Sequence, residues 1–349
     1  MFDTKDKIHI LKEKIDEIGK TNLSFMEVCG THTMSVAKHA IKSMLPETIN
    51  IVSGPGCPVC VTSAADIETA LNLARQEDKI ICTFGDMIKV PSKKDALQNY
   101  KNVEIVYSPL DALTYAGKYP DKEVVMLGIG FETTTPLISA TIKTAKDEEI
   151  DNFSVISMHK TVPEALKAIL AGKDISLNGL ILPGHVSAIT GRTYFDFIKE
   201  YETNGVIAGF EALDLLECIY LLSKNIEEGR VEVVNNYQSV VSEKGNKVAM
   251  NILYEVFENC DADWRGIGTI PMSGLKIRDE FEKFDAKKRF DIEAEKIDEP
   301  EACKCGEILM ARARPNNCTL FGKACTPADP VGPCMVSSEG TCAAYYTYM

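Results

Sequence analysis

A unit repeated along the chain up to about residue 225 constrains its fold more than anything else: a short apolar run, a turn carrying Gly or Thr, then a helical pattern. Leu23–Val28 leads to Cys29-Gly30-Thr31-His32-Thr33, and Ile49–Val52 to Ser53-Gly54-Pro55-Gly56-Cys57-Pro58-Val59-Cys60. Lys79–Thr83 leads to Phe84-Gly85-Asp86, with Val103–Tyr107 following a connecting segment. Glu123–Ile129 leads to Gly130-Phe131-Glu132-Thr133-Thr134-Thr135-Pro136, Phe153–Met158 to His159-Lys160, Gly179–Leu182 to Pro183-Gly184-His185-Val186-Ser187, and Gly205–Ala208 to Gly209-Phe210-Glu211. Such alternation builds parallel sheets with helices on their faces, so the expected class is α/β.

The polar stretch Tyr115–Lys122 reads as a seam between two parallel-sheet domains. The expected division is an N-terminal helix at 1–20, an α/β domain at 21–117 with Cys29, Cys57 and Cys60, a second at 118–228 with Glu132 and His185, and a third, cysteine-rich domain at 229–349. Ile8, Leu11, Ile15 and Ile18 give the first helix one apolar stripe, expected to dock on the third domain. Open parallel sheets bind ligands beyond the carboxyl ends of their strands. Cys29, His32, Cys57, Cys60, Asp86, Glu132, His159, His185 and Glu211 all fall there, and a shared cleft would gather them. A lone His or Asp at a strand end is more often a turn or cap residue than a ligand.

Cys57-Pro58-Val59-Cys60 is the sharpest local signal. Pro58 suits the first position of a helix, where a missing N–H costs nothing. Thiols near a helix N-terminus are expected to favour the thiolate. The spacing reads either as a redox pair or as a soft-metal site.

The chain has 349 residues, 45% hydrophobic and 26% charged, enough for two or three domains. A net charge of -13, without a Lys/Arg cluster interleaved by aromatics, argues against nucleic acid or an anionic membrane as partner. No apolar run reaches the roughly 18–20 residues that span a bilayer. Met1–Lys7 carries charges of both signs and no apolar core, unlike a signal peptide, so a cytoplasmic location is expected. The 12 cysteines are unevenly spread, with six between Cys303 and Cys342. In a reducing compartment, clustered thiols point to metal or redox chemistry.

The tail after Cys303 is dominated by Cys, Gly and Pro and has too little apolar periodicity to fold by burial alone. Cys318, Cys325, Cys334 and Cys342 are candidate ligands of a structural zinc or of an iron–sulfur cluster. Their long Pro/Gly-rich spacings lack close zinc knuckles and favour [4Fe–4S]. Cys303-Lys304-Cys305-Gly306 reads as half a zinc knuckle or as a second dithiol near the cluster. No Walker-type phosphate loop and no C-x3-C-x2-C pattern occurs in the sequence.

The Cys29–Thr33, Gly54–Cys60, Gly130–Pro136 and Pro183–Ser187 motifs and the Cys318–Cys342 tail, in this order, resemble the HypD family of hydrogenase maturation proteins over almost the whole chain. Met34 stands where many members have His. The resemblance implies a scaffold and redox centre that assembles the Fe(CN)2(CO) unit of [NiFe]-hydrogenases before its insertion into the large subunit. It implies a stable complex with HypC and a transient one with HypE, the cyanide donor charged by HypF. By position, Cys29 would hold the iron together with a cysteine of HypC, Cys57 and Cys60 would be the redox pair, and the third domain would carry one [4Fe–4S] cluster. His32, Glu132 and His185 are expected to hydrogen-bond around the cyanides or to move protons. An iron–sulfur thiol-disulfide reductase acting on other proteins is the competing expectation.

Overall fold

Up to Ala208, aliphatic and β-branched runs form strands where the sequence places them. The computed structural model describes residues 4–93, 95–172, 176–292, 297 and 301–349; residues 1–3 of the expected N-terminal segment and 293–296 and 298–300 of the expected third domain lie outside the described residues. The strands are β1 Leu23–Glu27, β2 Ile49–Ser53, β3 Lys79–Thr83, β4 Val103–Ile105, β5 Glu123–Gly128, β6 Phe153–Ser157, β7 Gly179–Pro183, β8 Asn204–Ala208, β9 Val233–Asn235, β10 Phe257–Trp264 and β11 Gly268–Ile277. Two wholly parallel sheets result, one of five strands in the order β2-β1-β7-β8-β9 and one of four in the order β4-β3-β5-β6. β3, β7 and β8 are buried along their whole length, as parallel strands covered on both faces must be.

The α/β class stands, but the sheets do not divide where expected. β1 and β2 pair with β7–β9, while β3–β6 form an inserted sheet of their own. The expected seam falls inside that second sheet: Asp111–Lys118 is a helix, and β3 pairs with β5 across it. Local pattern places strands but not their partners. A crossover to the neighbouring strand and one that leaves to begin another sheet look alike in periodicity. One apolar core joins both sheets, with Met26, Leu182 and Ile207 in the same cluster as Ile81, Leu127 and Ile156.

Two further expectations are corrected. Helix Thr4–Ile18 packs through Ile8, Leu11 and Ile15 on helix Ala212–Glu227, against the five-stranded sheet rather than the third domain, with Lys14 Nζ 5.6 Å above the Tyr220 ring. Residues 229–349 are not one unit either. β9 completes the five-stranded sheet, while helix Lys247–Val256 and the antiparallel β10–β11 hairpin cover the four-stranded one through Leu253, Phe257, Leu275 and Ile277. The apolar faces of these segments match the sheets better than they match the cysteine-rich tail.

Candidate functional site

β1 and β2 lie side by side in parallel with Glu27 opposite Ser53, so the chain leaves both at the same end. Their exit loops interlock. Gly30 N–H donates to the Gly56 carbonyl at 3.0 Å, and Gly54 N–H to that of Glu27 at 2.9 Å. A Cβ on Gly56 would lie 2.5 Å from the Cys29 nitrogen, and one on Gly30 would lie 3.3 Å from Cys57 Cβ. Neighbouring strands thus set Cys29 beside Cys57 on one sheet. Cys29 is buried, and burial, reinforced by the Glu339 carboxylate, pushes its thiol up to about 11. Glu339 accepts a 2.6 Å bond from Thr31 Oγ1 and, after burial, adds to the upward push on the Asp86 carboxyl.

Pro58 opens the four-residue helix Pro58–Val61, and Cys57 caps it, its sulfur accepting from Cys60 N–H at 3.2 Å. The expected dipole effect loses to burial at Cys60, which is inaccessible and whose thiol is pushed up. From Cys60 the thiols continue. Cys60 hydrogen-bonds with Cys334, whose sulfur lies 2.6 Å from that of Cys305, and Cys305 in turn bonds to Cys303. Cys342 is pushed up by burial and then by Cys325, Cys303 and Cys318, which places those four together. All six tail cysteines line one tight pocket, with Leu320, Phe321 and Met335. Among the described residues, no three His, Cys, Asp or Glu side chains close to single-ion distances. The thiols of Cys303 and Cys305 are both pushed up, that of Cys303 chiefly by its hydrogen bond to Cys305 and then by burial; the buried Arg265 guanidinium, held by Nε donating to the Thr62 carbonyl at 2.9 Å, opposes this only weakly.

The remaining candidates are dispersed. His32 Nε2 faces the carbonyls of Ala208 and Gly209 at 3.2 and 3.0 Å, which assigns the proton to Nε2 and leaves the buried Nδ1 unpartnered. Burial pushes His32 down to about 4, so it is neutral. Phe210 lies between the His32 and His185 rings, at 4.7 and 4.1 Å. Glu132 accepts from Val162 N–H and from the Tyr194 hydroxyl, both at 2.9 Å; burial lifts it to about 7, and its second oxygen has no partner. Phe131 stacks at 6.0 Å on Trp264, which bridges to Thr62, tying the Glu132 loop to the Cys60 helix. His159 is buried over Gly128, its Nδ1 3.1 Å from Ser157 Oγ, away from the thiols. Sequence reasoning passed over Glu339, Arg265, Tyr194 and Trp264. Each lies outside the strand–turn motifs, and a lone charge or aromatic there carries no periodicity.

Comparison with known proteins agrees with the motif order. The family model described as HypD, hydrogenase formation hypA family, matches residues 5–349. The chain is 42% identical over 338 residues to the hydrogenase maturation factor HypD of Cupriavidus necator, covering 93% of this chain and 89% of that one. It is 40% identical over 348 residues to a putative hydrogenase expression/formation protein of Methanocaldococcus jannaschii, covering 98% and 95%. The HypD of Escherichia coli is 38% identical over 350 residues, covering 98% and 94%. Interlocked cysteine loops on two adjacent parallel strands, a six-cysteine tail and matches of this extent lead to one conclusion: the chain belongs to the HypD family of hydrogenase maturation proteins.

Proposed function

We propose that the protein is the scaffold on which the Fe(CN)2(CO) unit of a [NiFe]-hydrogenase is assembled, with the iron held at Cys29. The observation that carries this reading is that the interlocked Cys29 and Cys57 loops stand at one end of a run of thiols leading from Cys57 through Cys60, Cys334 and Cys305 to a pocket walled by cysteines. Low-spin Fe(II) with cyanide and carbonyl ligands takes soft donors, and a thiolate suits it. Burial keeps Cys29 protonated until iron displaces the proton, so loading is coupled to proton release. HypC supplies a second thiolate, HypE delivers cyanide, and the hydrogenase large subunit receives the product.

For the tail, we infer that Cys303, Cys318, Cys325 and Cys342 hold a [4Fe–4S] cluster, because Cys325, Cys303 and Cys318 share one pocket with Cys342 and all bear on its thiol, while the Cys334 sulfur lies 2.6 Å from that of Cys305 and hydrogen-bonds with Cys60. Cys303 thus takes the ligand role that spacing assigned to Cys334. Such a cluster supplies single electrons. Cys305 and Cys334 then form the second dithiol, able to exchange with a Cys57–Cys60 disulfide: two thiols are oxidised as two are released, with no net change in protons. Glu132, poised near neutrality, is suited to holding or releasing a proton. The competing reading as a general disulfide reductase meets an obstacle, since Cys57 and Cys60 are 3% and 0% exposed and another protein's disulfide cannot reach them.

Infrared spectroscopy of anaerobically purified protein tests the proposal. Sharp bands of metal-bound cyanide and carbonyl are expected in the wild type and absent from Cys29→Ala, with iron–sulfur absorbance kept in both. Bands that persist in Cys29→Ala would place the iron elsewhere.

A further inference from the structure

Glu132 lies beyond the end of β5, wholly buried, and its two carboxyl oxygens are unequal. Oε1 accepts from the N–H of Val162, the first residue of helix Val162–Ala171, and from the Tyr194 hydroxyl, both at 2.9 Å. Oε2 is buried without a hydrogen-bond partner, a state that calls for a reason. Tyr194 comes from the 3-10 segment Arg192–Tyr201, and its hydroxyl hydrogen-bonds with that of Tyr254 on helix Lys247–Val256. Both tyrosines are only half-buried. Three elements far apart in the chain thus line up a carboxyl and two phenols from the interior to the surface. Tyr194 donates to Oε1, so its own oxygen is left to accept from Tyr254. A phenol can take a proton on one side while giving its own away on the other. The same two phenols are the titratable groups that face the carboxyl. On the inner side, Phe131 stacks on Trp264, which bridges to Thr62, the residue that ends the Pro58–Val61 helix. The Glu132 loop is thereby held against the element that carries Cys60.

We propose that Glu132, Tyr194 and Tyr254 form a relay that carries protons between solvent and the buried loop adjoining the Pro58–Val61 helix. A proton taken up at Oε2 reaches Oε1 by rotation of the carboxyl group. Oε1 passes it to the Tyr194 oxygen as Tyr194 gives its own proton to Tyr254, and Tyr254 releases one to water. One proton enters, one leaves, no electrons move, and all three groups end as they began. What the protons serve rests on the function proposed above, in which iron loading at Cys29 releases one; the relay itself does not rest on it. Its test is infrared spectroscopy of the full chain. At a pH well below 7 burial keeps the Glu132 carboxyl protonated, and its C=O band, identified by its loss in Glu132→Gln, moves when deuterium replaces the proton. After rapid mixing into heavy water, the band is expected to move promptly in the wild type and in Tyr220→Phe, and at least about tenfold more slowly in Tyr194→Phe and in Tyr254→Phe. Wild-type rates in either of those two variants would overturn the relay. So would a shifted titration midpoint with an unchanged rate, the mark of a hydrogen bond that only holds structure. The wild type gives a second check that needs no variant to fold: a carboxyl that deuterates no faster than the buried amides of β5 would also overturn the relay. Neither readout needs iron, so failure here leaves the cyanide and carbonyl bands, and the reading they test, untouched.

Discussion

At the scale of single residues, geometry separates cysteines that spacing treats alike. Cys303→Ser is expected to abolish iron–sulfur absorbance, while Cys334→Ser keeps it and loses electron transfer to Cys57 and Cys60; the reverse pattern in visible spectra would restore Cys334 as a ligand. Gly56 is equally specific. Its Cβ would strike the backbone of Val28 and Cys29 at 2.5–2.6 Å, and backbone cannot move aside as a flexible side chain can. Gly56→Ala should therefore destabilise by roughly 1–3 kcal/mol in urea unfolding and weaken iron retention at Cys29. Cys29, Cys57 and Cys60 were legible in the sequence because a strand followed by a glycine turn is a local pattern. The pairing of Cys305 with Cys334 was not, since it closes over 29 residues of irregular chain.

Among the elements, the β10–β11 hairpin does more than its sequence announces. Trp264 is buried at its tip, donates Nε1–H to Ser273 Oγ at 2.8 Å, stacks on Phe131 and bridges to Thr62. The hairpin thereby clamps the Glu132 loop onto the Cys57–Cys60 helix. Trp264→Ala is expected to cost about 3–5 kcal/mol by circular dichroism melts, with the thiols more reactive toward alkylating reagents. An unchanged thiol reactivity would show that the clamp is not what shields Cys60. Local pattern does not announce it, because a hairpin that packs on a distant sheet leaves few alternating apolar positions of its own.

For the whole molecule, two buried groups tilt stability in opposite directions with pH. Burial lowers His159 from 6.5 to about 3, so its contribution is present above 6.5 and lost as pH falls toward 3. Burial raises Glu132 from 4.5 to about 7, so its contribution is full below 4.5 and lost as pH rises through 7. Urea unfolding across pH should find that the stability of His159→Gln relative to wild type improves as pH falls from 6.5, and that of Glu132→Gln improves as pH rises from 4.5. Slopes of the opposite sign would show that the groups are not buried as described. Among the described residues, no helix is long and apolar enough to cross a membrane. The sequence alone determined the α/β class, the positions of β1–β8 and the cysteine motifs of the family, because these depend on patterns a few residues long. Only the tertiary structure decided that β1 and β2 join β7–β9 around an inserted sheet, that the first helix rests on Ala212–Glu227, and that Cys334 turns to Cys305 and Cys60. Strand order and thiol pairing are choices among partners far apart in the chain, settled by which arrangement buries the most apolar surface, and no local stretch records that competition.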